Sequence, residues 1–209
     1  MRQERQAPPT GRESLIALGS NGFPDISDAA EAIQKASLRC AELFGATVRC
    51  SMIYRTPAFP EGSGPDFANA CLALPGDLPA GEILQRLHRI EAEAGRVRDR
   101  RWGARTLDLD LIATGEEVAP DEETLRHWID LPLERQMRDA PDRLILPHPR
   151  VQDRSFVLIP LLDIAPDWRH PVLGLTVRQM AAARPEDERA GVRPLPGAVS
   201  GLVNPPHCE

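Results

Sequence analysis

The sequence predicts an α+β fold in which helices pack on a mainly antiparallel sheet. Short segments alternate apolar and polar residues, as strands do, while two longer segments repeat apolar residues at helical spacing. These segments follow one another in the order β-α-β-β-α-β, which is typical of an α+β sandwich. Because a length of 209 residues suits one domain with additional loops or tails, we expect a single domain over residues 14–183.

The first half of the chain carries the clearest elements. Residues 14–18 form a short apolar run that ends in Gly19-Ser20-Asn21, which predicts a buried strand entering a turn. Residues 25–44 place apolar side chains on one helical face, and Gly45 follows as a helix terminator. Similar patterns predict further strands over 47–54, 67–74 and 105–113, and a second helix over 79–94.

The second half is less regular. Residues 115–142 are acidic and weakly periodic, so we expect an insertion with one short helix. Residues 154–164 are apolar and predict a partly helical segment, and residues 176–179 resemble a capping box for a last short helix. The composition of the two ends predicts a disordered extension over residues 1–13 and a flexible tail over residues 184–209.

Composition argues against several classes of protein. The formal net charge of -6 leaves no global basic surface for nucleic acid. No segment has the ~18 consecutive apolar residues that a membrane span needs, and Met1–Glu13 lacks the apolar core of a signal peptide. The 4 cysteines form no C-x-x-C pair, which argues against a zinc site and favours reduced thiols in a reducing compartment. We expect a cytoplasmic monomer without nucleic-acid or membrane partners.

Two aspartates in the strand predicted over 105–113 carry the most informative chemistry. Strand side chains alternate between faces, so the leucines around them point to the core while Asp108 and Asp110 share the other face. Their Cα atoms are then about 6.6–6.8 Å apart, which lets the carboxylates share hard cations. Such cations suit phosphorus transfer, and magnesium is preferred because it completes its shell with water and phosphate oxygens. The alternative is an amphipathic edge strand with a solvated acidic face.

An arginine-rich loop precedes this strand. Within ten residues of an otherwise acidic chain lie Arg96, Arg98, Arg100, Arg101 and Arg105. Guanidinium groups beside a carboxylate pair suit a polyphosphate that is bridged by metal. Trp102 and Gly103 in the same loop suggest a lid that closes over substrate. A solvated loop with Trp102 packed on the domain edge is the alternative.

Three further residues are candidates for ligand contacts. His148 lies between two prolines, which stiffen its flanks, and can hydrogen-bond a phosphate or a nucleotide. Phe67 and Asn69 share one strand face, where an aromatic ring and an amide can stack on and pair with a flat heterocycle. An ordinary surface histidine and a core phenylalanine are the alternatives.

The segment Arg101-Trp-Gly-Ala-Arg-Thr-Leu-Asp-Leu-Asp110 resembles the signature of the 6-hydroxymethyl-7,8-dihydropterin pyrophosphokinase family. Other segments agree with that family in the same order: Leu18-Gly-Ser-Asn21, Tyr54-Arg-Thr-Pro57, Phe67-Ala-Asn69, Leu146-Pro-His-Pro-Arg150 and Arg154-Ser-Phe156. The resemblance implies a ferredoxin-like fold. It also implies transfer of pyrophosphate from ATP to the hydroxymethyl group of the pterin, with release of AMP, in folate biosynthesis.

The resemblance further implies roles for individual residues. Asp108 and Asp110 would bind two Mg²⁺, and Arg96 and Arg105 would hold the phosphates of ATP. The ATP site would also include His88, Glu91, Arg143, His148 and Arg154, with Arg98, Arg101 and Trp102 on the closing loop. The pterin would stack between Phe67 and Phe156 and pair through Asn69 and backbone groups near Thr56 and Pro57.

The chain departs from the family pattern at a few positions. Phe67 stands where tyrosine is common, so the stacking ring is kept and a phenol contact is lost. Ala104 replaces the usual proline, which makes the loop exit less stiff. Ile145 stands where some members carry a polar contact to the nucleotide, and the 115–142 insertion is longer than in compact members.

Two other functions are open on sequence alone. A D-x-D glycosyltransferase would use the same carboxylate pair with a nucleotide sugar, but it needs a larger nucleotide-binding domain, and the chain has no G-x-G-x-x-G element. A ferredoxin-like RNA-binding module would expose aromatic residues on a basic sheet face, which the net charge of -6 opposes.

Overall fold

A computed structural model describes residues 12–58, 64–95, 106–197 and 200–206. In these ranges one antiparallel sheet contains β1 (Glu13–Ser20), β2 (Val48–Cys50), β3 (Tyr54–Thr56), β4 (Phe67–Pro75), β5 (Asp108–Thr114), β6 (Arg193–Pro194) and β7 (Gly201–Val203). The main order across the sheet is β5-β1-β4-β2-β7, while β3 pairs with β4 and β6 pairs with β3. β1 therefore lies between β5 and β4.

Helices pack on both faces of this sheet. In the described ranges they are α1 (Ile26–Phe44), α2 (Ala80–Glu93), α3 (Glu122–Ile129), α4 (Leu133–Arg138), α5 (Ser155–Ile164), α6 (Val177–Ala182) and α7 (Glu186–Gly191). α1 and α2 cover one face, and α5 with α6 covers part of the other. The α+β class predicted from the sequence is confirmed. None of these described helices combines the length and the apolar character that crossing a bilayer would require.

The face under α1 and α2 holds the larger apolar core. Alternate strand residues such as Ile16, Leu18 and Leu72 point into it, and they meet Ile33 of α1 and Leu87 of α2. All of these side chains are buried. Because full burial of such a side chain is worth about 1.5–3 kcal/mol, this layer supplies much of the stability of the fold.

Local signals explain where the helices begin and end. The side chain of Asp25 accepts a hydrogen bond from Ser27 N at the start of α1, and Gly45 ends the helix with a φ of 61°. At α6 the side chains of Thr176 and Gln179 each accept a bond from the other residue's backbone, so the predicted capping box is present.

The strand predicted over residues 47–54 is interrupted, and β2 and β3 form in its place. Ser51 lies in the break. Its N–H donates to Cys71 O at 2.9 Å, while its Oγ accepts from Cys71 N at 2.9 Å. A side-chain oxygen thus replaces a backbone carbonyl at this point, and the regular ladder stops.

Two other segments contain more structure than the sequence predicted. The 115–142 insertion holds two short helices, α3 and α4, where one was expected. The segment predicted as a flexible tail over 184–209 contains α7, β6 and β7 within its described residues. β6 and β7 pair with the open edges of β3 and β2, which gives their backbone groups partners that the composition could not reveal. The limits of the domain stay a prediction.

Candidate active site

Asp108 and Asp110 lie on the same face of β5, as strand alternation predicts. The intervening leucines point into the core under α1 and α2, while both aspartates are partly exposed on the opposite face. In the sheet register, Asp110 lies opposite Ala17 of β1 and Asp108 lies opposite Gly19. The carboxylate pair therefore stands beside β1, at the end of the face that α5 and α6 leave uncovered.

Gly19 of β1 has no side chain, so a trough remains on this face between the side chains of β5 and those of β4. Asn69 of β4 lies opposite Gly19 from the other side, so Asp108, Gly19 and Asn69 form one row across the sheet. Adjacent strands are about 4.8 Å apart, which puts the backbones of Asp108 and Asn69 roughly 10 Å from each other. A Cβ atom on Gly19 would come within 3.3 Å of Asn69 Oδ1. The absence of a side chain at Gly19 leaves room for a small ligand.

The residues predicted to bind the pterin surround the far side of this trough. Asn69 Nδ2 donates to Thr56 Oγ1 at 2.7 Å, and both residues are buried. Phe67 lies opposite Thr56 in the ladder, and Pro57 follows β3 as an exposed residue. Phe156 is 41% exposed on the first turn of α5. In the described part of the chain neither phenylalanine is stacked on another aromatic ring.

Arg154 links the aromatic residue of α5 to the carboxylate pair. Its Nη1 donates to Asp110 Oδ2 at 3.2 Å, and its guanidinium carbon lies 5.7 Å from the centre of the Phe156 ring. Arginine keeps its charge at any accessible pH. The site thus has a fixed cation between the pterin side and the carboxylates.

A cavity of about 490 Å³ adjoins Asp110. It brings together four of the residues predicted to bind ATP or metal, namely Asp110, Arg143, His148 and Arg154. Its walls come from α2, β5, the loop around His148 and the inserted segment. The volume lies in the usual range of about 300–1,000 Å³ for small-molecule sites.

His148 is held as a neutral hydrogen-bond donor. Its backbone N–H donates to Ile112 O at 2.7 Å, which ties the histidine to β5. Burial, and then the charge of Arg154, lower the pKa of His148 well below its ordinary value, and the charge of Asp108 opposes this only in part. Nδ1 accepts from Arg150 N at 3.1 Å. The proton of the neutral ring therefore sits on Nε2, which can donate to an anion.

Two residues predicted on the nucleotide side, Glu91 and His88, lie on α2 outside the lining of this cavity, and their roles in binding ATP stay predictions. Glu91 of α2 is 2% exposed, and its Oε1 accepts from Leu109 N at 2.8 Å. Glu91 thus gives an acceptor to a backbone N–H on the edge of β5 that is unpaired among the described strands, between Asp108 and Asp110, and so helps to position this strand. His88 is exposed on the same helix, one turn beyond Leu84. Among the described residues, Leu84 lines the cavity while His88 and Glu91 do not.

The predicted phosphate-binding loop lies outside the described residues, and it contains Arg96, Arg98, Arg101, Trp102 and Arg105. The roles of these five residues stay predictions. Where the described chain resumes, Thr106 O accepts from Ser20 Oγ at 2.7 Å. This bond fixes the start of β5 against the end of β1.

Sequence reasoning gave no separate role to Gly19 or Arg150, although both stood in matched motifs. The role of Gly19 depends on its register with Asn69, and the sequence pattern placed Gly19 in a turn, whereas it lies within β1. Arg150 donates from Nη2 to Trp128 O at 2.7 Å and from Nη1 to Ile129 O at 3.2 Å. Nothing in the sequence indicates that pairing, because it joins a family motif to the inserted segment.

The carboxylate pair suits Mg²⁺ in the presence of a phosphate ligand. In the described part of the chain, no group of three or more His, Cys, Asp or Glu residues is arranged to hold a metal ion. Two partly exposed carboxylates on one strand leave most of a magnesium shell to water and phosphate oxygens, which is the arrangement this ion prefers.

A second cavity, of about 550 Å³, lies between β2, β7 and the end of α5. Its polar lining includes Glu13, Arg49 and Asp163, and Arg49 Nη2 pairs with Glu13 Oε2 at 2.8 Å. No predicted site residue within the described ranges lines it. This cavity is therefore not part of the candidate site around Asp108 and Asp110.

Comparison with known proteins decides the family. The sequence model described as "7,8-dihydro-6-hydroxymethylpterin-pyrophosphokinase (HPPK)" matches residues 15–166. The chain belongs to this family. Two curated relatives carry the name 2-amino-4-hydroxy-6-hydroxymethyldihydropteridine pyrophosphokinase. The protein from Synechocystis sp. is 39% identical over 168 residues, which cover 80% of this chain and 73% of that protein. The protein from Pseudomonas aeruginosa is 38% identical over 185 residues, which cover 88% and 96%.

Solved structures agree on the fold. The chain is similar to an HPPK-DHPS protein crystallised with substrates, with a TM-score of 0.59, 13% identity and coverage of 83% of this chain and 43% of that one. A Plasmodium falciparum HPPK-DHPS variant gives a TM-score of 0.58 at 15% identity, with coverage of 82% and 45%. The present chain spans less than half of those chains. The likeness supports the ferredoxin-like α+β class predicted from the sequence.

Proposed function

We propose that the trough across β4, β1 and β5, together with the cavity beside Asp110, is the site where this chain transfers pyrophosphate. The reaction moves the group from ATP to the hydroxymethyl group of 6-hydroxymethyl-7,8-dihydropterin and releases AMP, in folate biosynthesis. Family membership and the names of the relatives support this reaction. The single structural observation that carries the site is the row formed by Asp108, Gly19 and Asn69 across three adjacent strands.

This row has the two chemical ends that the reaction requires. At one end, Asn69 and Thr56 offer polar groups in a buried pocket edged by Phe67, which suits a flat heterocycle with amide-like edges. At the other end, Asp108 and Asp110 provide negative charge beside a cavity with cationic groups. A hydroxymethyl group on the heterocycle would cross the open position at Gly19 and approach the carboxylate pair.

The transfer itself needs positioning and charge stabilisation more than covalent help from the protein. The substrate hydroxyl oxygen forms a bond to the β-phosphorus of ATP, and the bond from that phosphorus to the oxygen bridging to the α-phosphorus breaks. The bridging oxygen stays with AMP, and the hydroxyl proton is released to solvent through the open trough. Arg154 holds positive charge next to the carboxylates throughout.

His148 would bind the side of ATP that leaves as AMP. Its neutral ring presents Nε2–H as a donor, because Nδ1 already accepts from Arg150 N. Arg143 lines the same cavity, and its Nε lies 3.1 Å from Asp142 Oδ1. Asp108 and Asp110 would hold two Mg²⁺, which would neutralise the phosphate charge that builds up during transfer.

The decisive experiment is an assay for AMP. Purified protein with ATP, Mg²⁺ and 6-hydroxymethyl-7,8-dihydropterin should release AMP and form the pterin diphosphate in equal amounts. Omitting the pterin should stop AMP formation. Formation of ADP, or AMP without pterin diphosphate, would contradict the proposal.

The two alternative functions are not favoured. A glycosyltransferase would require a nucleotide-sugar donor, and an RNA-binding module would require a basic sheet face. In the described ranges the uncovered sheet face carries Asp108 and Asp110 instead. The monomeric state, the cytoplasmic location and the roles of the arginine-rich loop stay predictions.

A further inference from the structure

The inserted segment forms one wall of the cavity beside Asp110. Six of its residues line that cavity: Trp128, Gln136, Asp139, Ala140, Pro141 and Asp142. They come from α3, α4 and the loop that follows. The matched family motifs gave this segment no role, yet it encloses the cavity together with β5 and the loop around His148.

The wall is fixed to the catalytic region at two places. Arg150 donates to Trp128 O at 2.7 Å and to Ile129 O at 3.2 Å, and its own N–H donates to His148 Nδ1 at 3.1 Å. At the start of the segment, Ala119 and Leu146 exchange two backbone hydrogen bonds of 3.0 Å each. The position of α3 is therefore set by the same loop that sets His148.

The two ends of the cavity differ in the charged groups that they offer to a ligand. At the Asp110 end, Arg154 and His148 can meet an anion. At the end formed by the insertion, the lining contains Asp139 and Asp142 beside Arg143 and Arg150, and Arg143 Nε lies 3.1 Å from Asp142 Oδ1. That end offers little net charge, so it suits the uncharged part of a nucleotide better than its phosphates.

The lining at the insertion end also suits a flat base. Trp128 is half-buried there, and Leu84 and Ile145 add apolar surface to the cavity. Ile145 has no side-chain polar group with which to hold a base by hydrogen bonds. Packing on an aromatic ring is then the main attraction available, and base–aromatic stacking is one of the stronger contacts of this kind.

We propose that the inserted segment is the nucleobase subsite of this enzyme and that Trp128 is the surface on which the base of ATP packs. The proposal rests on the function proposed above, since it takes the cavity to be the ATP site. It assigns the insertion a specificity-determining role that the shared motifs of the family do not contain.

The test is nucleotide binding to a Trp128→Ala variant. With Mg²⁺ and α,β-methylene-ATP, calorimetry should give a dissociation constant about tenfold higher than that of the original chain. Trp128→Phe should keep affinity within about threefold, because the smaller ring still stacks. The matched control is Glu123→Ala, which changes an exposed residue on the same helix that does not line the cavity.

Inorganic tripolyphosphate separates base recognition from a general loss of structure. Its inhibition of the enzyme should be equal in the original chain and in Trp128→Ala, since it has no base. The KM for the pterin should also be unchanged. Equal loss of α,β-methylene-ATP and tripolyphosphate binding, or no loss of either, would overturn the proposal.

Failure of the proposal differs from failure of the proposed function. If the original chain releases AMP with the pterin but Trp128→Ala binds α,β-methylene-ATP normally, only the base subsite is wrong. If the original chain binds nucleotide through Trp128 but forms no pterin diphosphate, only the reaction is wrong. If the original chain binds no α,β-methylene-ATP at all, the base subsite is overturned and the AMP assay still decides the reaction.

Discussion

The two faces of the sheet use the same strands in opposite ways. On the face under α1 and α2, side chains such as Leu18, Leu72 and Leu109 remain apolar along the strands. On the other face, apolar residues such as Ala17 and Cys71 pack against α5 and α6 over only part of the strands' length. Beyond that part, the same face carries the row of Asp108, Gly19 and Asn69.

The difference shows how a small domain combines stability with a site. The fully covered face needs no polar residue, so it can be packed for stability alone. The partly covered face stops burying apolar side chains where α5 begins, and Arg154 and Phe156 mark that boundary. Function lies where a sheet face lacks a helix, so changes on the two faces should have separable effects.

The largest change in activity without a matching change in stability should follow removal of a carboxylate charge on the partly covered face. Asp108→Asn and Asp110→Asn keep the shape of each side chain but remove a negative charge, so each should lower kcat by about 10²-fold or more. Melting temperatures should change little, since both side chains are partly exposed and the Asp110–Arg154 pair is a weak contributor at such a site. Steady-state AMP formation and calorimetry measure the two quantities.

Asp28→Asn provides the control for this pair. Asp28 is an exposed carboxylate in the first turn of α1, on the other side of the sheet. The kcat of the Asp28→Asn variant should equal that of the original chain. Near-normal turnover in both site variants would remove the proposed metal role.

A core truncation on the covered face should produce the reverse pattern. Leu72 is 0% exposed, and Leu72→Ala should lower the free energy of unfolding by about 3 kcal/mol through lost burial and a residual cavity. The KM values for ATP and pterin should stay unchanged in the folded fraction. Urea titration measures the loss, and Leu38→Ala, at a site 43% exposed, should shift it by no more than about 0.5 kcal/mol. A rise in either KM would show that the faces are coupled.

The closed part of the second face should be sensitive to acid through His170. This residue is buried, and burial lowers its pKa from 6.5 to about 4. The unfolded chain therefore binds a proton at a higher pH than the folded chain does. The stability that neutral His170 contributes is complete above about pH 6.5 and is lost as the pH falls towards 4.

His170→Asn isolates this effect, because the amide oxygen can replace Nδ1 as acceptor for Val172 N and Leu173 N without titrating. The stability advantage of the original chain over the variant should shrink by at most about 3 kcal/mol between pH 7 and pH 4. Denaturation curves at several pH values give this difference directly. An advantage that is independent of pH would contradict the assignment.

Local sequence patterns were sufficient for the elements of both faces. Residues 25–44 and 79–94 gave helices within one residue of α1 and α2, because capping residues and apolar periodicity act over a few positions. The C-terminal strands could not be foreseen. β6 and β7 exist because β3 and β2 offer open edges, and the short Arg193–Pro194 strand has no alternation of its own.

The residues of the site also divide into those that local sequence patterns predicted and those that depend on long-range contacts. Alternation alone placed Asp108 and Asp110 together and singled out Asn69, the flanking prolines singled out His148, and the family resemblance supplied Arg154. The positions of Glu91 and Trp128 depend on contacts between segments that are distant along the chain. Glu91 is drawn to the backbone of β5, and Trp128 is brought to the cavity by the hydrogen bonds of Arg150, so neither position follows from spacing.

The smallest and most specific effect should come from adding one methyl group to the trough. In Gly19→Ala the new Cβ would meet Asn69 Oδ1 at 3.3 Å, so Asn69 must shift by a few tenths of an ångström while Thr56 holds its amide nitrogen. We expect the KM for the pterin to rise about five- to tenfold, which corresponds to the loss of one ordinary hydrogen bond. The KM for ATP should stay constant.

The free energy of unfolding of Gly19→Ala should rise slightly, because alanine loses less conformational entropy than glycine in a strand. Gly81→Ala, at an exposed position of α2, should also raise stability but leave both KM values unchanged. If Gly19→Ala raised both KM values equally, the trough would not separate the two substrates. Loss of stability together with activity would mean that Gly19 is needed for the fold and not for the ligand.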